Sequence, residues 1–386
     1  MNILEEIQSC SVEWKELGEV CSVKKGKQLN KNLLIEDGLY PAYNGGQTYS
    51  GRTNDYNVEA NTIIVSQGGA SAGFVNFVDT KFWANAHCYY ILPDETRVNN
   101  RFVYHFVKMN QKYLMDFQHG AGIPALKADK LTKLLLPIPP QEIQEKIVQI
   151  LDKFTDYVTE LTSELTSRKK QYSFYRDKLL SFEDEVYQVE WKKLNECLKK
   201  GKGTKITASQ MKLLHKDGAP IRIFAGGKTY ADVNYGDIPD KDIHTEEAIV
   251  VKSRGIIDFE YCTEPFSFKN EFWSYSSDNE NINLRYIYHY LVHNKEHFQN
   301  IANNMQMPQI SSNDTEKFKI PVPSLEIQSR IVQVLDNFDT VCHDLNIGLP
   351  KEIELRQKQY EFFREKLLTF TAEGVYTDST VQTRPH

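Results

Sequence analysis

The fold of this chain is decided by a segment that occurs twice. Residues 137–154 read PIPPQEIQEKIVQILDKF, and residues 321–338 read PVPSLEIQSRIVQVLDNF. Further along, residues 168–182 (RKKQYSFYRDKLLSF) match residues 356–370 (RQKQYEFFREKLLTF), and the second copy is longer by four residues, which is about one helical turn. An internal repeat has to be recognised before a fold is assigned, and this one indicates a tandem duplication.

Both copies are predicted to form long helices. Apolar and aromatic side chains recur at steps of three and four residues from Ile143 to Phe182, with no Gly or Pro after Pro140. This first helix would be roughly 60 Å long and would need a partner helix to bury its apolar side. The two helices could be domain caps or oligomerising coils, but the duplication favours an antiparallel coiled coil within one chain. A break is expected near residues 348–350, where Gly348 would end a helix and Pro350 would begin one.

The regions before each helix are predicted to be mixed globules. They match each other only at sparse points, such as Glu13-Trp14-Lys15 and Glu190-Trp191-Lys192, whose Trp suits a buried anchor. Short apolar runs separated by Gly, Asn, Asp and Ser predict strands, and stretches near 100–117 and 283–300 look helical. The runs that we assign as strands are 62–65, 74–78, 89–92, 248–251 and 256–259.

The predicted fold class is therefore α+β, arranged as a pseudo-two-fold tandem repeat. Two globular domains are separated by two long helices of nearly constant sequence. The expected bounds are 1–137 for the first globule, 138–186 for the first spacer helix, 187–321 for the second globule, 322–371 for the second spacer helix, and 372–386 for a disordered tail.

Composition narrows the class of protein. Of the 386 residues, 40% are hydrophobic and 25% charged, which is enough apolar material for packed cores. No apolar run approaches the ~20 residues that span a bilayer, and the N-terminus lacks the pattern of a secretory signal, so we expect a cytoplasmic protein with six reduced cysteines. The net charge of −6 argues against an undirected binder of polyanions.

The loops of both globules favour contact with DNA. Asn, Gln, Lys, Arg and Ser side chains can hydrogen-bond base edges and phosphates, Gly lets the backbone approach a phosphate, and clustered Lys neutralises phosphates. Any one loop alone would be better interpreted as a polar turn, but similar loops occur at corresponding points of both copies. The candidate DNA-binding residues are Lys24, Lys25, Lys27, Asn44, Gly45, Gly46, Gln47, Thr48, Ser66, Gln67, Gly68, Gly69, Ser71, Lys199, Lys200, Lys202, Lys205, Gly226, Gly227, Lys228, Thr229, Lys252, Ser253 and Arg254.

Catalytic and metal motifs are not evident. Gly226–Thr229 resembles the end of a phosphate-binding loop, but Arg222 stands where the motif requires its first Gly. His289, His293 and His297 share a helical face without the HExxH pattern, so we expect no metal site. There is no nucleophile motif, and no amino-methyltransferase tetrad is present, so the sequence predicts no enzyme activity, no catalytic residue and no cofactor for this chain.

The whole arrangement resembles the specificity (S) subunit of type I restriction–modification systems. The resemblance covers about residues 10–371. The motifs that carry it are Leu136–Gln144, Ile147–Phe154, Lys170–Leu180, Gly348–Ile353 and the opening Glu13–Gly18. The family implies two target recognition domains, each reading one half of a bipartite, asymmetric site in double-stranded DNA, while the helices fix the unread gap. One departure is that the first copy lacks the Gly-Leu-Pro break.

The resemblance also implies partners. The helices of this family dock two methyltransferase (M) subunits that bind S-adenosylmethionine and methylate adenine, and a restriction (R) subunit can add cleavage driven by ATP with Mg. These cofactors belong to the partners, and the complex would be associated with the nucleoid of a bacterium or archaeon. The residues expected to dock subunits are Gln144, Tyr172, Tyr175, Arg176, Gln328, Tyr360, Phe363 and Arg364.

Two alternatives remain open from the residues alone. The chain could be a coiled-coil adaptor whose globules bind protein and read no DNA, or it could be a lone enzyme such as a nuclease. An unrelated partner captured without DNA would favour the adaptor, and magnesium-dependent nicking by the pure chain would favour the nuclease.

Overall fold

The computed structural model describes residues 3–116, 125–182, 189–303 and 308–370. The tail that we expect to be disordered lies outside these residues. Two compact units divide the chain. The first contains the residues up to Thr162 together with those from Glu352 onward, and the second contains Ser163–Lys351. None of the described helices is both long and apolar enough to cross a membrane.

The first globule is built from three small sheets. A four-stranded antiparallel sheet has the order β2-β8-β5-β6, a three-stranded sheet has the order β4-β3-β7, and β1 pairs with β9. The strands are β1 (Glu13–Glu16), β2 (Cys21–Lys25), β3 (Tyr40–Tyr43), β4 (Gly51–Thr53), β5 (Thr62–Ser66), β6 (Val75–Val78), β7 (Trp83–Ala84), β8 (Cys88–Pro93) and β9 (Leu135–Ile138). The helices are α1 (Ile3–Ser9), α2 (Leu17–Val20), α3 (Asn100–Met109), α4 (Gln111–Asp116) and α5 (Ala128–Thr132).

After the helix α6 (Gln141–Ser181), the second globule repeats this topology. Its sheets have the orders β11-β17-β14-β15, β13-β12-β16 and β10-β18. The strands are β10 (Glu190–Lys193), β11 (Lys199–Lys202), β12 (Ile221–Phe224), β13 (Tyr230–Val233), β14 (Ala248–Lys252), β15 (Asp258–Cys262), β16 (Phe266–Phe268), β17 (Trp273–Ser276) and β18 (Lys319–Val322). The helices are α7 (Leu194–Cys197), α8 (Ala208–Leu214), α9 (Leu284–His293), α10 (Lys295–Ala302) and α11 (Ser312–Glu316).

The mixed fold agrees with the sequence prediction, with two local differences. The run at 256–259 is not a strand from its start, because Ile256 is exposed and β15 begins at Asp258. The expected burial of the two Trp anchors is confirmed only in part for Trp14, which is half-buried, and is wrong for Trp191, which is 49% exposed. Trp191 pairs with Pro321 just as Trp14 pairs with Pro137. The strand pairing, rather than burial of the indole, is what the two copies share.

The conserved segments form one long helix in the first copy and two in the second. The 41-residue α6 is continuous, whereas the second copy gives α12 (Leu325–His343) and α13 (Leu349–Leu368). Gly348 allows the chain to turn between them, since a Cβ there would lie 2.4 Å from the carbonyl oxygen of Thr340. The Asp344 carboxylate accepts the amide protons of Asn346 and Ile347 and closes the turn.

Each unit buries a stretch of both conserved segments, as an antiparallel pairing requires. In the first unit Ile147 and Leu151 of α6 share a core with Leu367 of α13, and Phe154 stacks on Phe363 with ring centroids 5.1 Å apart. In the second unit Leu180 of α6 joins Ile331 and Leu335 of α12, and Tyr175 stacks on Phe338 at 5.8 Å.

The repeat of apolar side chains predicted from Ile143 to Phe182, at steps of three and four residues, is confirmed only in part. It runs through Ile147, Ile150, Phe154 and Tyr157, but the first half of the helix packs on its globule as well as on α13, so that Leu151 is fully buried and Ile150 only partly. Tyr157 is 51% exposed.

Candidate nucleic-acid interface

Two of the glycine-rich loops predicted from the sequence meet in the first unit. The Ser66 hydroxyl donates to the carbonyl oxygen of Gly46 at 2.9 Å, so the end of β5 touches the loop that follows β3. Gly45 has φ +82°, and a Cβ there would lie 3.0 Å from the His87 carbonyl oxygen and 3.3 Å from that of Gly68. Glycine is therefore required at Gly45 both by its backbone conformation and by the close approach of neighbouring chain.

A third segment, absent from the sequence prediction, lies between these loops. This turn joins β7 to β8. The amide of Asn85 donates to Tyr43 O at 2.9 Å, and the amide of Gln67 donates to His87 O at 2.8 Å. Lys27 contacts this turn, since its amide donates to Ala84 O at 2.9 Å. Nothing in Asn85-Ala-His87 signals this role, because the turn is neither glycine-rich nor basic.

The second unit repeats the arrangement with different side chains. Lys252 takes the place of Ser66, and its Nζ donates to Gly227 O at 3.0 Å. The turn between β16 and β17 is bound in the same way, because the amide of Lys269 donates to Phe224 O at 3.0 Å and the Ser253 hydroxyl donates to Glu271 O at 2.8 Å. We call residues 43–49, 66–73 and 84–88 loop cluster 1, and residues 224–229, 252–255 and 268–272 loop cluster 2.

Most of the candidate DNA-binding side chains are open to solvent. Lys24, Lys25 and Lys27 lie at and just after the end of β2. Gln67, Gly68, Gly69 and Ser71 are partly exposed. The exposed candidates are Lys24, Lys25, Lys27, Asn44, Gly46, Gln47, Thr48, Lys199, Lys200, Lys202, Lys205, Gly226, Gly227, Lys228, Thr229 and Arg254.

Four of the candidates are buried and cannot touch a ligand with their side chains or α-carbons. Lys252 is only 3% exposed, and its ammonium binds the Glu260 carboxylate at 2.6 Å. Ser253 is also buried, and its hydroxyl donates a hydrogen bond to Glu271 O. Gly45 and Ser66 are also buried, because they form the contact between the two loops. These four residues shape the clusters, and we remove them from the set of expected contacts.

Two lysines of the second unit are already paired. Lys200 Nζ binds Glu316 at 2.8 Å and the Ser312 hydroxyl at 2.7 Å, and Lys199 pairs with Asp278. Among the described residues, Lys202 and Lys205 have no acidic partner. The cationic character of β11 is therefore concentrated toward its end and the residues after it.

Two of the expected docking residues are structural instead. The Gln144 amide is buried, accepts the amide proton of Asn99 at 2.7 Å and donates to Pro139 O at 2.9 Å. Gln328 repeats these bonds with Asn283 at 2.8 Å and Pro323 at 2.8 Å. Each glutamine fastens a spacer helix to the start of α3 or α9, whose first turns are capped by Asn99 and Asn283. Neither amide has a free face for a partner.

Tyr360 is also buried. Its hydroxyl lies 2.9 Å from His105 Nδ1, and burial raises the pKa of Tyr360 to about 12. The other nitrogen, His105 Nε2, lies 2.7 Å from Asp152. Burial lowers the pKa of His105, so the imidazole is held neutral between a hydroxyl and a carboxylate.

The second unit contains the equivalent His–Asp pair with a further carboxylate, Asp339, beside it. His289 Nε2 lies 2.7 Å from Asp336, and Arg285 Nε binds the same carboxylate at 2.9 Å. The His289, Asp336 and Asp339 side chains are close enough to share an ion. A guanidinium on the same carboxylate opposes a cation there, and the His105–Asp152 pair has an equivalent guanidinium in Arg101. We interpret both sets as links between the spacer helix and the globule.

The remaining docking candidates lie on the helix surfaces. Tyr175 and Phe363 are exposed on one side while they stack on the helix partner, and Tyr172, Arg176 and Arg364 are half-buried. Their neighbours Phe174 and Phe362, which the sequence analysis did not include, are 61% and 55% exposed. Each contacts the next aromatic ring edge-on with ring centroids 5.4 Å apart in both copies.

Comparison with known proteins identifies the family to which this duplicated arrangement belongs. The family model described as "Type I restriction modification DNA specificity domain" matches residues 11–168 and 188–355. The specificity subunit of the Escherichia coli type I restriction enzyme EcoR124I/EcoR124II is 31% identical over 96% of this chain and 97% of its own length.

Solved structures share the fold. The crystal structure of a type I restriction–modification S subunit from M. genitalium has a TM-score of 0.70, at 22% identity over 94% of this chain and 98% of that chain. A structure of a type I R-M system has a TM-score of 0.53, at 14% identity over 94% and 98% of the two chains. The adaptor and nuclease alternatives are not favoured by these matches. The chain belongs to the family of type I restriction–modification DNA specificity subunits, which are non-catalytic.

Proposed function

We propose that loop clusters 1 and 2 each contact one half of a bipartite, asymmetric site in double-stranded DNA. The observation that carries this proposal is the repetition of one loop arrangement with different exposed side chains. A shared backbone frame would place the two clusters alike on DNA, while the different side chains would select different bases. An asymmetric site is expected because the two equivalent turns carry different side chains: Arg254 stands at the position of Gly68, one residue after the position of Gln67.

The chemistry of these side chains suits base recognition. A glutamine amide makes paired hydrogen bonds to adenine, and an arginine guanidinium makes paired hydrogen bonds to guanine. Exposed lysines such as Lys27 and Lys202 would bind phosphates and contribute affinity without sequence preference. We assign Gln67 and Arg254 to base contacts and the lysines to phosphate contacts. The bounds of the recognition domains are proposed as 1–137 and 187–321.

Membership of the family supports a proposal about the partners. We propose that the exposed Phe174 and Phe362, with Tyr175, Phe363 and the neighbouring arginines, form two equivalent faces that each dock one methyltransferase subunit. S-adenosylmethionine would be bound by those subunits, and ATP and Mg by a restriction subunit where one joins. Basic surface on these partners would allow a chain of net charge −6 to lie on DNA, within the nucleoid of the cell.

Changing Arg254 or Gln67 to Ala is expected to affect one half-site each. The affinity of the assembled complex for its own half-site sequence should fall by about 5- to 150-fold, because a paired contact to a base contributes about 1–3 kcal/mol. Discrimination at the other half-site should be unchanged. The measurement is binding of each variant complex to duplexes in which one half-site at a time is altered.

Lys228→Ala provides the matched control for Arg254→Ala, since Lys228 is exposed in the same cluster. It should weaken binding to every sequence equally and reduce the dependence on salt. Loss of discrimination at both half-sites from either Gln67→Ala or Arg254→Ala would contradict two independent recognition domains.

A further inference from the structure

The turn that bridges the two loops of each cluster carries exposed or charged side chains that have no role in the proposed function. In loop cluster 1 the turn is Asn85–His87, and in loop cluster 2 it is Lys269–Glu271. Both turns begin with a hydrogen bond to the last residue of equivalent strands. Asn85 N donates to Tyr43 O at the end of β3, and Lys269 N donates to Phe224 O at the end of β12. Each also closes on itself, because Cys88 N donates to Asn85 O and Phe272 N donates to Lys269 O.

The backbone of the turn is conserved between the units while its side chains are exchanged. Asn85 is buried and its Oδ1 accepts the amide proton of Ala86 at 2.6 Å, which leaves His87 as the exposed side chain of the first turn. In the second turn the Lys269 ammonium binds the Glu271 carboxylate at 2.6 Å, and both side chains are about four-fifths buried. A fixed frame that carries variable polar groups is the property expected of a recognition segment.

Glu271 is joined to the residue before Arg254. The Ser253 hydroxyl donates to Glu271 O at 2.8 Å, and Arg254 itself is held in place by a bridge to Gln309 and by the bond from Gly255 N to Pro308 O. Burial alone would raise the pKa of Glu271, but its bond to Lys269 and the nearby positive charge of Arg254 lower the pKa overall. The Glu271 carboxylate is therefore ionised, and the bond from the Ser253 hydroxyl to Glu271 O places Glu271 beside the segment that carries Arg254.

The ion pair between Lys269 and Glu271 is not a feature of both turns, because Asn85 and His87 make no ion pair within the described residues. The shared feature of the two turns is their place between the loops, next to Gln67 in one unit and Arg254 in the other.

We propose that this turn is a third recognition segment in each unit, in which His87 contacts the first half-site directly and Glu271 is a positioning residue that orients the Arg254 guanidinium toward the second half-site. The proposal rests on the DNA-binding role of the two clusters. The His87 imidazole offers a donor and an acceptor to a base edge or a phosphate. A carboxylate beside an arginine limits the directions in which its planar guanidinium can donate.

The test is a double-mutant cycle on Arg254 and Glu271 in the complex with its methyltransferase subunits. Glu271→Gln has nearly the same shape and should lower discrimination in the second half-site at the base pair affected by Arg254→Ala, by about fivefold or more. Glu271→Asp should restore part of it. The double variant should be no worse than Arg254→Ala alone, since Glu271 acts through Arg254.

His87→Ala and His87→Asn provide the equivalent test in the first unit. Both should weaken binding to the first half-site by about fivefold and leave the second half-site unchanged. Discrimination at the half-site of the unmutated unit serves as the control for assembly, because it requires an intact complex.

The outcomes separate this inference from the function on which it rests. If Arg254→Ala relaxes the second half-site but Glu271→Gln and His87→Ala leave binding unchanged, the third segment is only structural and the inference is wrong. If Arg254→Ala itself changes nothing, the assignment of loop cluster 2 to DNA is wrong. An effect of Glu271→Gln that adds fully to that of Arg254→Ala would show that Glu271 does not act through the arginine.

Discussion

Insertion of Thr-Ser-Glu-Leu after Leu165 is expected to lengthen the unread gap of the DNA site by one or two base pairs and to leave both half-site sequences unchanged. The insert extends α6 by about 6 Å. Along DNA, 6 Å corresponds to fewer than two base pairs at about 3.4 Å each. The effect on methylation is large, because DNA sites with a gap of the original length should no longer be methylated at all.

The structure makes residues 159–167 a suitable place for this insertion. The segment contains the four-residue unit Glu-Leu-Thr-Ser twice in succession, and every side chain in it is exposed except the half-buried Leu161 and Leu165. Four residues advance a helix by slightly more than one turn, so the inserted leucine continues this partly buried stripe. The buried anchors Leu151 and Leu180 lie outside the segment and keep their contacts.

The gap is read from the adenine-methylation pattern of cells that express the longer chain. Ser163→Ala, at an exposed position of the same segment, keeps the helix length and should leave the gap as it is. An unchanged gap after the insertion would mean that the helix does not set the distance between the half-sites.

Replacement of Phe174 and Phe362 by Ala is expected to remove the methyltransferase subunits one at a time. Each single variant should retain one subunit, and the double variant should retain none. Aromatic anchors at the centre of an interface contribute at least about 2 kcal/mol, which is roughly a 30-fold loss of affinity. Methylation by the double variant should be lost, since the chain itself is non-catalytic.

The geometry of the aromatic pairs supports this expectation. Phe174 and Phe362 pack edge-on against Tyr175 and Phe363, which are themselves held by stacking on Phe338 and Phe154. The exposed rings are therefore presented by a fixed support, and little side-chain entropy is lost on binding.

The number of subunits is measured from the mass of the intact complex. Gln149→Ala, at an exposed position elsewhere on α6, is the control and should leave that mass unchanged. Because Phe174 and Phe362 are mostly exposed, the variants should unfold at the same temperature as the original chain. A double variant that still binds two subunits would place the docking faces elsewhere.

The architecture could be predicted because local sequence patterns indicate its helices and strands. The duplicated segments carry apolar side chains at helical spacing and few helix breakers, and the strands at 62–65 and 248–251 are short apolar runs between polar turns. The lengthened second copy contains Gly348, whose missing side chain lets the chain pass the Thr340 carbonyl. These features depend on neighbours a few residues apart.

The residues of the candidate interface could be predicted only in part, because the contacts that bury some of them come from residues distant in sequence. Lys252 looks like a phosphate ligand, but its ammonium is used by Glu260 on the adjacent strand and by Gly227 of another loop. Gln144 looks like a surface residue of a long helix, but it is buried against Asn99. The Asn85–His87 turn has no sequence signal, since its place is fixed by backbone hydrogen bonds to Tyr43 and Gln67.

The most direct test of the central claim is the adenine-methylation map of the host genome, compared between cells that produce this chain and cells from which it has been deleted. A subunit that selects the DNA site predicts that deletion removes one bipartite adenine motif and that restoring the chain restores the same motif. An identical map in both cells, with the chain shown to be present in the first, would contradict the account.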